Sequence, residues 1–383
     1  MELNFDEIRP FEDHEVQDAL SRLSLEPGFD EALAYVFPEL GSDELKQLLR
    51  SIKTVDDFQT KIVAGAVERI SDFTTSGLEI SGLERLNPDQ PYLFISNHRD
   101  IVLDSAFINY ILHREAFPTT RIAIGNNLLQ KSWITDLVKL NKNFIVHRNV
   151  ASRMAYDYSL RLSSYIKHSL EVDQSSVWIA QREGRTKDGI DKTQPGLLKM
   201  FTMAYQMEPS EAFSKMHLVP ITLSYEKEPC AGLKAKELYY RAVQGTYTKQ
   251  AGEDLISMKI GISAPKGKVH IHFGEEIQTS RFASFFQGFS KNDGFKNLAD
   301  AIDTQILSGY KLSPANFIAA DLLNGNTQWE KHYNIHQKER FVREMNKEFS
   351  QTGDDQSELF QPYFLEIYAN PLLQKVKLNL DII

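Results

Sequence analysis

The sequence predicts an α/β fold: a mixed, largely parallel sheet flanked by helices, with helical N- and C-terminal extensions. Three observations predict it. Short apolar runs alternate with helical stretches between about residues 75 and 280, as strands do when helices cross between them and cover both faces. The regions before and after carry apolar residues at helical spacing. The chain has 383 residues, 42% hydrophobic and 25% charged, a globular composition that fits one large decorated domain or two. The expected division is a helical region over 1–73, an α/β domain over 74–278 and a helical region over 279–383.

In the first region Val16, Ala19, Leu20 and Leu23 form one helical series, and Leu45, Leu48, Leu49 and Ile52 another. Two to four helices are expected before the first strand. Ser42, followed by Asp43 and Glu44, reads as an N-cap with acids in the first turn. The strand candidates are Tyr92–Ile95, Arg121–Ile124, Asn143–Val146, Val177–Ala180, Leu218–Ser224, Lys259–Ser263 and Val269–Phe273. Between them, helices are predicted at 103–114, 128–139, 151–170 and 196–207. Ala264-Pro265-Lys266-Gly267 reads as a hairpin link between the last two strands. Pro220 within an apolar strand calls for an edge or bulge position, either bordering an acyl channel or simply starting the strand.

Beyond residue 280 the helical series Phe295, Leu298, Ile302 and Ile306 lies within Gly294–Ser308. A second helix, 313–323, opens on Ser-Pro, a good cap and first-turn pair. Residues 327–350 are strongly charged, with Trp329, Phe341, Met345 and Phe349 on a partial stripe. Gly353 to Ser357 reads as an exposed loop.

Bulk properties exclude several classes. No apolar run approaches the roughly 18–20 residues of a membrane span. The acidic opening, MELNFDEIRPFEDHE, has no apolar core, so no secretory signal is expected. A single cysteine, Cys230, allows no internal disulfide and suits a reducing compartment. A net charge of −9 speaks against nucleic-acid binding. Positive charge is nevertheless concentrated between Lys139 and Lys199, including Lys142, Arg148, Arg153, Arg161, Lys167, Arg182, Arg185, Lys187 and Lys192. A basic centre in an acidic protein suits an anionic small substrate.

Three strand ends carry residues able to do chemistry. In Ser96-Asn-His98-Arg-Asp100-Ile-Val-Leu-Asp104, a His leaves a probable strand with two carboxylates close behind. A carboxylate-oriented imidazole can take the proton of an attacking alcohol. The same residues also fit a loop histidine and a helix N-terminal acid. Phe144-Ile-Val-His-Arg148 ends a strand in an Arg, suited to a phosphate or carboxylate or simply solvated. Gln181-Arg-Glu183-Gly184-Arg185-Thr-Lys187-Asp-Gly189 follows an apolar strand. Its Gly184 and Gly189 amides, with Arg185 and Lys187, could cradle a phosphate, and Glu183 could hold a base or a substrate hydroxyl. The alternative is a solvated charged turn. His98-Arg99-Asp100 also opens a kinase catalytic loop, but the required Asn is Ser105. No Gly-x-Ser-x-Gly elbow is present. His270 and His272 share a strand face without a third metal ligand in view.

The order of these pieces resembles the bacterial glycerophosphate acyltransferase family. SNHRDIVLD is similar to its His-x-x-x-x-Asp block, FIVHR to its strand-end Arg block, REGRTKDG to its Glu-Gly block, and LVPITLSYE to its apolar strand with Pro. Gly267-Lys-Val-His-Ile-His-Phe-Gly274 is similar to a later strand of the family. The Asp of the first block stands one place late, at Asp104, with Asp100 the competing choice. The third block is one residue short, which leaves Arg185 and Lys187 as alternatives for its basic role.

The resemblance implies a general base, His98, oriented by Asp104. It implies phosphate binding by Arg148, Glu183, Gly184, Arg185 and Lys187. The implied reaction moves a fatty acyl group from a thioester, acyl-CoA or acyl carrier protein, to a glycerophosphate or lysophospholipid hydroxyl, in phospholipid biosynthesis. It implies no metal and no cofactor beyond the thioester co-substrate. Peripheral attachment to the cytoplasmic face of the membrane is expected, through the helix at 196–207 or the N-terminal helices. The alternative is a catalytically silent protein of the same fold acting as a membrane-surface or protein-binding module.

Overall fold

A computed structural model describes residues 4–129, 131–148, 150–250 and 252–382. Residues 1–3 and 383, at the ends of the predicted regions, and Gln130, inside the predicted helix 128–139, lie outside the described residues.

The N-terminal region folds as α1 (Val16–Leu23), α2 (Phe29–Val36), α3 (Ser42–Ser51), α4 (Val55–Phe58) and α5 (Ala64–Thr74), with a π turn at Gln59–Val63 joining the last two. Val16, Ala19, Leu20, Leu23, Leu45 and Ile52 are buried together, as their spacing predicts. The N-cap of α3 is Gly41 rather than Ser42, because the Glu44 carboxylate accepts the Gly41 N–H at 2.7 Å. Before α1, Ile145 donates its N–H to the Ile8 carbonyl at 2.9 Å, so this segment straps the sheet.

The sheet has seven strands: β1 (Thr75–Ser81), β2 (Leu93–Ser96), β3 (Arg121–Gly125), β4 (Asn143–Val146), β5 (Val177–Ala180), β6 (Leu218–Tyr225) and β7 (Gly267–Phe273), in the order β1-β7-β6-β2-β5-β3-β4. All neighbours are parallel except β6 and β7. The sheet is therefore mixed and largely parallel. The carboxyl ends of β2 to β6 share one edge, where α/β sheets bind ligands.

Among the described residues, α6 (Leu103–Arg114), α7 (Ser132–Leu140), α8 (Ser152–Glu171), α9 (Pro195–Phe201) and α10 (Pro209–Phe213) lie between these strands, followed by α11 (Ala231–Gln244) and α12 (Glu253–Ser263). The chain continues through α13 (Thr279–Phe286), α14 (Lys291–Gly309), α15 (Pro314–Asn324), α16 (Ile335–Gln351) and α17 (Gln361–Lys377). Phe295, Leu298, Ile302 and Ile306 of α14 share one core with Leu93 and Val177 of the sheet. The packing is thus continuous across residue 278.

Several expectations are corrected. Lys259–Ser263 is the end of α12, not a strand, so there is no hairpin with β7. Gly252, in the left-handed conformation, and acids Glu253 and Asp254 start this helix. It buries the small residues Ser257 and Gly261 while Leu255 and Ile256 stay exposed, so its apolar run misstates its inner face. The antiparallel partner of β7 is β6. Strand β1, half-buried and irregular at Gly77, has no apolar run to announce it. The helix predicted over 196–207 ends at Phe201.

Pro220 lies in a central strand, not at an edge. Its carbonyl accepts the Gly274 N–H at 2.8 Å, beyond Phe273, the last β7 residue in the ladder. The missing N–H therefore forfeits only the reciprocal bond to Gly274, one residue past the last ladder pair.

Candidate active site

The motif loop 97–102 leaves β2 at the carboxyl edge and enters α6. Asp104, in the first turn of α6, is buried and organises the loop. Its Oδ2 accepts hydrogen bonds from the backbone N–H groups of Arg99 at 2.6 Å and Asp100 at 2.9 Å, and faces His98 Nδ1 at 2.8 Å. Its Oδ1 accepts the Tyr225 hydroxyl proton at 2.7 Å. Nδ1 of His98 is thereby assigned as the protonated nitrogen, which leaves Nε2 as the basic one. Burial, with Asp104 beside it, holds the Tyr225 hydroxyl protonated.

Asp100 has a different task. Its Oδ1 accepts the Val102 and Leu103 N–H groups at 2.9 and 2.8 Å and caps α6. Burial and the nearby Asp104 charge push its carboxyl up from the usual range. The geometry therefore separates the two candidates: Asp104 touches His98, and Asp100 caps the helix.

His98 borders a cleft of about 400 Å³. Arg148, Arg182 and Glu183 stand at its polar part, while Ala123, Ile145, Leu162, Leu197 and Met200 line it deeper. Arg148 crosses over Gly125, where an added Cβ would lie 2.5 Å from its Nε, so a larger residue there would displace the Arg148 and Asn127 side chains. Arg148 Nε is 3.6 Å from Glu183 Oε1, and the Arg148 N–H is held by Asn126 at 2.9 Å. Arg182 borders the cleft with no carboxylate partner among the described residues, and its Nε is buried without a hydrogen bond. A carboxylate or phosphate entering the cleft would meet two guanidinium groups.

The loop after β5 divides in two. Glu183 is exposed beside the cleft, and Gly184 follows it in the left-handed conformation. Arg185 is buried and lies with Asp100 and Cys230, away from the cleft. Lys187 forms an ion pair with buried Glu237 of α11, and burial pulls its ammonium down to about 8. Gly189 also turns left-handed and lies under α17, where an added Cβ would stand 2.3 Å from the Ile367 carbonyl. The structure thus does not bring Arg185, Lys187 and the Gly189 amide together with His98. Their side of the loop anchors the C-terminal helices.

Beneath the loop lies a network that sequence reasoning missed. Fully buried Arg99 pairs with Asp191 at 2.5 Å and Glu228 at 3.4 Å, with Tyr310 stacked at 5.3 Å. Lys234 of α11 donates to Glu228 at 2.6 Å and to the Arg99 carbonyl at 2.8 Å. Asn97 bonds Leu223 of β6 through both its amide atoms, at 3.0 and 2.8 Å. These partners come from the loop before α9, from β6 and the turn after it, from α11 and from the end of α14, all far from Arg99 in the chain. Arg182 did carry a signal: it stands two residues after Ala180, on the same face if the strand is extended. His270 and His272 both meet the Ser81 hydroxyl, at 3.0 and 2.8 Å. Burial pulls the His270 imidazole down to about 4.

Residues 77–224 match the model of a family described as Acyltransferase. The mouse (Mus musculus) dihydroxyacetone phosphate acyltransferase is 24% identical over 210 residues, 54% of this chain. The chain spans only 29% of that relative's length. The crystal structure of the 1-acyl-sn-glycerophosphate acyltransferase PlsC from Thermotoga maritima aligns over 76% of this chain and 93% of that one, at 11% identity and a TM-score of 0.37. The strand ends that carry His98, Arg148 and Glu183 all fall inside the matched segment, so the part of the chain over 77–224 is similar to the Acyltransferase family.

Proposed function

We propose that the chain transfers a fatty acyl group from a thioester to the hydroxyl of a glycerophosphate acceptor, with His98 as general base and Asp104 as its positioning residue. The observation that carries this reading is the imidazole held by Asp104 at the edge of a cleft that also holds Arg148 and an unpaired Arg182. Nε2 takes the proton of the acceptor hydroxyl as its oxygen attacks the acyl carbonyl. The new C–O bond forms, the C–S bond breaks, and the leaving thiolate takes the proton back from the imidazolium. The reaction written this way uses no metal and no cofactor beyond acyl-CoA or acyl carrier protein as donor. Arg148 and Arg182 bind the acceptor's phosphate, with Glu183 orienting Arg148 and the Gly184 turn setting the loop. The apolar depth between Ile145, Leu162 and Met200 accommodates acyl carbons.

The test is acyl transfer from radiolabelled acyl-CoA and acyl carrier protein to glycerol 3-phosphate, dihydroxyacetone phosphate, lysophosphatidate and unphosphorylated glycerol. Turnover of the phosphorylated acceptors alone supports the reading, and transfer that ignores the phosphate sinks it. Arg148→Ala and Arg182→Ala should each raise the acceptor KM on the order of tenfold or more, because a charge-assisted bond contributes about 1.5–3 kcal/mol. The KM for the thioester should move much less.

We place this activity in phospholipid biosynthesis, at the cytoplasmic face of a membrane to which the protein attaches peripherally. Among the described residues, no helix is long and apolar enough to cross a membrane. Leu198 and Phe201 of α9, and Val16, Ala19, Leu20 and Leu23 of α1, are buried in the protein. Those apolar residues are therefore not free for lipid. Exposed Met154 and Tyr156 in the first turns of α8 stand next to Ala155 and Tyr158 of the cleft and offer a better contact. Flotation with anionic liposomes should carry the wild type upward, and Met154→Asp with Tyr156→Asp should leave the protein at the bottom. Equal flotation of both would refute this contact.

A further inference from the structure

A second cleft, of about 550 Å³, opens at the same edge of the sheet on the other side of the motif loop. It is lined by the segment after β6, the start of α11, the end of α12 and the turn before β7, and by residues of α15, α16 and α17. Its lining comes from residues 226–266 and 314–368, beyond the segment matched by the family. The family likeness therefore does not account for it. His98 borders only the first cleft, and Glu228, which pairs with Arg99 and Lys234, borders only the second.

The lining is amphipathic in a defined way. Leu233, Ile260, Ile318, Phe341 and Phe364 supply apolar walls. Most inner charges are already paired. Lys227 holds Glu344 at 2.6 Å, and Glu228 holds Lys234 at 2.6 Å. Lys266 donates to the Ala264 carbonyl at 2.8 Å and the Thr74 hydroxyl at 3.1 Å. Glu348 differs. One of its oxygens, Oε2, accepts the Gly232 N–H at 2.8 Å, and the other takes no hydrogen bond from any described residue. Burial pushes this carboxyl up to about 7. Glu344 on its own helix and Glu228 at the end of β6 oppose its charge, while Lys234 of α11 favours it. Tyr368 of α17 also faces it. The remaining cations of the lining, Arg340 and Lys347, are exposed at the rim.

We infer that this cleft binds a cationic amphiphile, a molecule with a short apolar body and one ammonium group that seats on Glu348. A half-buried carboxylate with one oxygen that takes no hydrogen bond from any described residue can accept one from a cation brought to it. An anionic headgroup seated there would face the Glu348 charge instead. The apolar walls hold a chain in a cleft of ordinary ligand size. The site is separate from the acyl-transfer cleft, so its occupancy does not depend on how His98 acts.

The test is calorimetric titration of the full chain with n-octylammonium, octanoate and 1-octanol. Octylammonium should bind tightest. Glu348→Gln, which keeps an acceptor for the Gly232 N–H, should weaken octylammonium on the order of tenfold and leave octanol unchanged. In the wild type, octylammonium affinity should rise between about pH 6 and about pH 8, because the carboxylate is the binding form. Ala315→Trp, which fills the cleft, should abolish binding of both octylammonium and octanol. Octanoate binding tighter than octylammonium, a flat pH dependence, or undiminished binding to the Ala315→Trp variant would each overturn the proposal. The pH series keeps the test decisive if Glu348→Gln fails to fold.

Discussion

His98→Ala is expected to lower acyl transfer by a factor on the order of 10²–10⁴, the range for removing a positioned general base, with little change in stability. The His98 side chain has one strong contact, the 2.8 Å approach to Asp104, and its ring meets Trp178 edge-on at 6.1 Å. Truncation therefore leaves Asp104 with three other donors: Arg99 N, Asp100 N and Tyr225. The loop should hold its shape, so the loss is chemical. Asp104→Asn should also lower turnover, since an amide NH₂ beside Nδ1 favours the wrong tautomer. Single-turnover measurement of both variants with labelled thioester separates chemistry from product release. Wild-type turnover by His98→Ala would remove the general-base assignment.

Arg99→Met is expected to destabilise the fold by about 3–5 kcal/mol, the usual cost of stripping one partner from a buried ion pair. Arg99 is 1% exposed and pairs with Asp191 and Glu228. Glu228 would keep Lys234, but Asp191 would keep only the Asn97 amide at 3.1 Å and the Thr186 hydroxyl at 2.6 Å. Most of the cost should therefore come from Asp191. Arg99→Met with Asp191→Asn should recover part of it, because the uncompensated charge is gone. Urea midpoints at unchanged slope read both effects. Equal stability of Arg99→Met and wild type would show that the pairs contribute nothing net.

Much of the architecture was legible because strands buried on both faces announce themselves. Asn143–Val146 and Val177–Ala180 begin and end where their apolar runs do. Helix α6 likewise spans the predicted 103–114. Legibility fails where burial and hydrophobicity part company. Helix α12 turns its glycine and serine inward, since Gly261 lies so close to Asp100 that a Cβ would stand 2.1 Å from Oδ2. Its isoleucine spacing thus reports the wrong face. Pro220 escapes the edge rule because it sits where the β6–β7 ladder ends and meets Gly274 through its carbonyl alone.

The candidate site divides along the same line. Sequence alone picks out the strand ends that hold His98, Arg148 and Glu183, because reactive residues cluster where apolar runs stop. It also confines the partner of His98 to Asp100 or Asp104. Only the tertiary structure separates these two, since the choice depends on which carboxylate the helix start aims backward and which it uses as a cap. The same holds for the basic residues after β5. Arg182 reaches the cleft because of its side of the strand, and Arg185 and Lys187 are drawn away by Asp100, Cys230 and Glu237. Those partners lie about 45–85 residues away in the chain, apart from it in sequence but not in space. Spacing along a chain fixes local periodicity, while pairing of buried charges is decided by whatever the folded chain brings within a few ångströms.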